Sequence, residues 1–73
     1  MSTLKDLKPG ESGTVHSLGE KGLVRRRLMD MGFTPGAHVE VVKVAPLGDP
    51  IEVNIRGYEL SLRQSEAIQI TLK

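Results

Sequence analysis

The densest charge in the chain is Arg25-Arg26-Arg27, inside "EKGLVRRRLMDMG". Arginine carries a planar, permanently charged fork that pairs with carboxylates and phosphates. Successive helical residues fan about 100° apart, so the three cannot form one flat basic patch. Arg26 points away from the apolar stripe of the helix, Arg27 flanks it, and Arg25 lies beside Met29. One reading is a solvated face whose aliphatic stems shield the core; the other is a docking surface for an acidic partner. Met29 favours docking, because it falls off the stripe and a flexible, exposed methionine suits a partner surface.

A second constellation is "APLGDP", between two valine- and isoleucine-rich runs. Pro46 fits the second position of a type I turn with Gly48 at the fourth. Pro50 pushes Asp49 into an extended conformation and opens a strand where no ladder donor is needed. A stiff connector explains the two prolines and the glycine. It does not explain an apolar Leu47 at the tip.

Other chemistries find no frame. There is no glycine-rich phosphate loop ending in Lys-Ser/Thr, and no serine or cysteine nucleophile set with a histidine and an acid. Glu11, Glu20, Asp30, Glu40, Asp49, Glu52, Glu59 and Glu66 are scattered over turns and outward strand positions, and read as solvated carboxylates. The chain is therefore expected not to be an enzyme. His16 and His38 are the two histidines, and neither has a second ligand at a spacing suited to a tight metal site. Exposed strand histidines are the plain reading, and an oxygen-and-imidazole site completed at an interface is the alternative.

The elements that must hold these residues follow from size and period. Seventy-three residues, with 10 basic and 9 acidic side chains and no cysteine, make one small domain, residues 1–73, with no disulfide staple and a marginal core. Neither a secretory leader nor an apolar run long enough to span a bilayer is visible, so a cytoplasmic protein without direct membrane insertion is expected. Thr3 and Asp6 have capping spacing, and Pro9-Gly10 marks a turn before a strand over "TVHSL". Val24, Leu28 and Met31 predict a helix over roughly 20–31 with one buried stripe, stopped by Gly32 and by Thr34-Pro35-Gly36. From His38 the period is two. "HVEVVKVA" slips phase at Val41-Val42, which predicts a bulge. "IEVNI" and "YELSL" pair around Arg56-Gly57 so that Ile51, Val53, Ile55, Tyr58, Leu60 and Leu62 share one face, although arginine suits a positive-φ turn poorly. "LRQSEA" reads as a single helical turn, and Ile68, Ile70 and Leu72 point inward. About five short strands with one inserted helix predict a mostly β, curled barrel.

In order, "RRLMDMGFTPG", "APLGDPIEV" and "LRQSEAIQI" resemble the signature of the ferrous iron transport protein A family, FeoA, from about Leu4 to Leu72. Met31 stands where that family often has leucine, a volume-conserving departure. The resemblance implies a barrel similar to an SH3 domain and a non-enzymatic accessory role in ferrous iron uptake. The implied partner is the cytosolic part of the ferrous iron transporter FeoB, which carries a guanine-nucleotide-binding domain. Matched positions are Arg26, Arg27, Leu28, Gly32, Pro35 and Gly36, then Pro46, Leu47, Gly48, Asp49 and Pro50, then Leu62, Arg63, Glu66 and Ala67. Gly32, Pro35, Gly36, Pro46, Gly48 and Pro50 read as structural, and Leu28, Leu62 and Ala67 as packing. Arg26, Leu47, Asp49 and Arg63, joined by Met29, are left as candidates for partner contact. Asp49 pairing internally with Arg27 or Arg63 is the competing reading.

No cofactor is implied beyond weak binding of ferrous iron, for which His16 and His38 are the candidates. Exposed Leu47 and Met29 also admit self-association. The competing class is a nucleic-acid-binding barrel, since "PGESGTVHSL" resembles the openings of ribosome-associated barrels. A net charge of +1 and two aromatics, Phe33 and Tyr58, count against it.

Overall fold

The computed structural model describes residues 2–19 and 21–73. A 3₁₀ turn over Leu4–Asp6 is followed by β1 (Ser12–Leu18), α1 (Leu23–Asp30), β2 (His38–Val44), β3 (Ile51–Ile55), β4 (Tyr58–Leu62), α2 (Gln64–Ala67) and β5 (Ile70–Leu72). The strands make one antiparallel sheet in the order β4-β3-β2-β1-β5. The fold is mostly β, and the sheet curls around Val15, Val39, Val41, Val53, Ile55 and Leu62, with Leu28 and Phe33 closing the core.

Alternation sets the register. Ile55 opposes Tyr58, Val53 opposes Leu60 and Ile51 opposes Leu62, as the period-two pattern requires. The connection is a two-residue turn with Arg56 at φ 53° and Gly57 at φ 85°, the I′ form that matches strand twist. Arginine is unfavourable there in isolation. Its side chain explains its presence: Nε–H donates to the Gly32 carbonyl (3.2 Å) and Nη2 to Thr34 Oγ1 (2.7 Å), pinning the hairpin tip to the exit of α1. The phase slip in β2 is a register shift between Val41 and Lys43 that turns Val42 out to solvent. At the other side of the sheet, Thr3 bridges Thr71 and the Leu72 N–H donates to the Ser2 carbonyl (2.8 Å), so the start of the chain covers the β5 edge. Thr3 N–H in turn donates to Asp6 Oδ2 (2.9 Å), which sets Leu4 into the core.

Three expectations need correction. Tyr58 shares the inward face but is 71% exposed, because it stands beside the hairpin turn on an edge strand, past the end of the core. Ile68 is exposed because it caps α2; the strand starts two residues later. The helix begins at Leu23, after Gly22, rather than near residue 20; Glu20 lies outside the described residues. Its end follows the sequence closely. Gly32 sits at φ 108°, the Phe33 N–H donates to the Leu28 carbonyl (3.0 Å) and the Gly32 N–H to the Met29 carbonyl (3.0 Å). This is a Schellman closure, with its apolar contact between Leu28 and Phe33.

Candidate interaction surface

Leu28 is the one buried residue of α1's eight. Val24, on the same stripe one turn earlier, is 46% exposed, so the first turn of the helix stands clear of the sheet and the expected stripe is shorter than the sequence implies. Leu23 is 84% exposed and Met29 also faces solvent. The outer face of α1 and the segment before it form a groove of about 550 Å³ lined by Lys21, Gly22, Leu23, Arg25, Arg26, Met29 and Asp30. Of the residues expected to contact a partner, Arg26 and Met29 come together here. Arg25 is half-buried, and its Nε has no hydrogen-bond partner among the described residues.

Asp49 and Arg63 meet elsewhere, in a second groove of about 360 Å³ that also takes in Arg27, Pro50, Ser61, Leu62 and Glu66. It is built by the turn after β2. The Gly48 N–H donates to the Ala45 carbonyl (2.7 Å), closing the expected four-residue turn, and Leu47 at its tip is 94% exposed. Asp49 pairs with neither arginine. Its Oδ1 accepts from the Gln64 N–H (3.0 Å), an otherwise free donor in the first turn of α2. Asp49 remains exposed at the groove's edge, and its bond ties the turn to α2.

The arginine partner is Glu66. Counted with the solvated acids from sequence, Glu66 is 6% exposed. Its Oε1 accepts from the Arg63 N–H (2.9 Å), and its Oε2 lies 3.3 Å from Arg27 Nη1, an ion pair outside hydrogen-bond geometry. The signal was present: Glu66 stands three residues after Arg63, where a carboxylate reaches back to the residue before a helix. Arginine at that first position hid it. Arg27 thus joins α1 to α2 and lines the second groove.

His16 and His38 are exposed on neighbouring strands, with His38 opposite Thr14. Among the described residues, no three His, Cys, Asp or Glu side chains converge as a metal site. No described helix is long and apolar enough to cross a membrane.

Residues 2–73 match the model of the family described as FeoA domain. A Porphyromonas gingivalis protein, named Fe(2+) transport protein A/Fe(2+) transporter FeoB fusion protein, is 34% identical over 70 residues; the match covers 96% of this chain and 8% of that relative. The chain therefore spans a small fraction of the curated relative it matches. Among solved structures, the FeoA protein of Chlorobium tepidum is 48% identical with a TM-score of 0.88, over 96% of this chain and 67% of that one. Stenotrophomonas maltophilia FeoA, described as an SH3 domain protein complexed with zinc, is 30% identical with a TM-score of 0.89, over 100% of this chain and 91% of its own.

Proposed function

This chain belongs to the FeoA family, and from that premise we propose that it is a non-enzymatic, cytoplasmic accessory protein of ferrous iron uptake that docks on the cytosolic part of the transporter FeoB. The observation that carries the reading is the Porphyromonas gingivalis fusion, in which a segment resembling this chain is joined covalently to the transporter. Joining two modules in one chain raises their effective concentration, which benefits modules that meet. On this reading α1 supplies Arg26 and Met29 as the first contact, the turn after β2 supplies Leu47 and Asp49, and the start of α2 supplies Arg63. Ferrous iron is the transporter's cargo, and His16 and His38 are surface residues of the sheet.

The test is titration of the isotope-labelled protein with the soluble cytosolic domain of FeoB, with and without guanine nucleotide, read by NMR. Shifts concentrated on Arg26, Met29, Leu47, Asp49 and Arg63 support the reading. Absence of binding in every nucleotide state overturns it. An anaerobic ferrous titration that moves the His16 and His38 resonances at stoichiometric metal would reassign iron from cargo to ligand.

A further inference from the structure

We propose that the groove along the outer face of α1 takes an acidic amphipathic helix of the transporter's cytosolic part, one with apolar side chains a turn to either side of a carboxylate. The inference rests on the docking reading above and adds the chemistry of the partner segment.

The spacing comes from α1 itself. Leu23, Arg26 and Met29 follow one another at i, i+3 and i+6, so two exposed apolar side chains flank a guanidinium along one stripe facing away from the core. Apolar anchors a turn apart match the way an amphipathic helix lays one face into a groove. The charge decides which helix. Lys21, Arg25 and Arg26 line the groove against the single carboxylate of Asp30, so a partner that brings Asp or Glu is attracted and a basic one is repelled.

A basic face with exposed apolar groups also fits an anionic bilayer. The shape argues against that. The apolar residues line a concavity that also holds Asp30, whereas adsorption to lipid needs a broad apolar area pressed outward and free of acidic groups.

The test measures affinity for the FeoB cytosolic domain with Arg26→Glu and with the double variant Leu23→Ser/Met29→Ser, using Lys5→Glu as the control for net charge. Arg26→Gln serves as the milder variant should the charge reversal perturb the helix. Each groove variant is expected to weaken binding by about tenfold or more, while the control binds as the unchanged protein does. Hydrogen exchange on the bound domain is expected to protect a helix of net negative charge. If the domain binds and the groove variants bind it equally well, the inference fails and the docking reading survives. If the unchanged protein does not bind the domain, both fail. Capture by phosphatidylcholine–phosphatidylglycerol vesicles, lost in the groove variants while domain binding is kept, would assign the groove to lipid and overturn the inference.

Discussion

Strand β3 and helix α1 are held by the same protein in opposite ways. β3 buries three of its five side chains, Ile51, Val53 and Ile55, and has hydrogen-bonded strands on both sides. α1 buries one of eight, and Gly22 before it offers no side-chain cap. An eight-residue helix is marginal in water by itself and depends on tertiary packing. Here that packing is the burial of Leu28 and Phe33 in the core, the Arg27–Glu66 pair and the Arg56 hydrogen bonds at the helix exit. The sheet is thus a scaffold fixed by its own core, and α1 is an element whose surplus apolar and basic surface is left outward. Function on this molecule is expected where the fold's own demands are fewest.

The contrast can be broken or sharpened by substitution. Ile55→Ala in the scaffold is expected to cost about 2–5 kcal/mol, because it deletes buried methyl groups where close packing cannot relax. Chemical denaturation reads that loss, and a change below about 1 kcal/mol would mean the core is looser than its burial implies. Glu66→Ala removes the buried tie between the helices and leaves the Arg63 N–H without its acceptor, for an expected loss of about 1–3 kcal/mol. The Arg27→Ala variant separates the two effects, since Arg27 is 64% exposed and its loss leaves the Arg63 bond intact. Asp49→Ala uncaps α2 at about 1 kcal/mol, whereas Asp49→Asn keeps an acceptor and most of that stability. If Asn instead keeps stability but loses binding to FeoB, the charge of Asp49 serves the partner rather than the fold. Val24→Ala is expected to change stability by no more than about 0.5 kcal/mol, although helical spacing places it on the stripe of Leu28. A loss as large as that of a core residue would restore the longer stripe.

What the sequence made legible was local. The β3–β4 register, the bulge at Val42, the turn closed by Gly48 and the glycine stop of α1 all follow from residue types a few positions apart. Long-range geometry decided the rest. Arg56 occupies a turn position that arginine disfavours because Gly32 and Thr34, distant in sequence, accept its hydrogen bonds. Glu66 is buried because α1 brings Arg27 over it, and Asp49 is claimed by Gln64 before either arginine can reach it. Val24 illustrates the converse error: periodicity assigns a face, but only the position of the barrel decides how far along the helix that face is covered. The candidate contact residues were named from sequence as one set, whereas the fold places Arg26 and Met29 in one groove, Asp49 and Arg63 in another, and Leu47 in neither.

The central claim is that α1 is a loosely held docking element on a rigid sheet. Amide hydrogen exchange of the free protein and of its complex with the FeoB cytosolic domain tests this most directly. The account predicts that the Arg26 and Met31 amides of the free protein exchange through local opening well before Val53, and that binding slows them while leaving Val53 unchanged. Exchange of α1 as slow as that of β3 in the free protein, or a complex that leaves α1 unprotected, would contradict it.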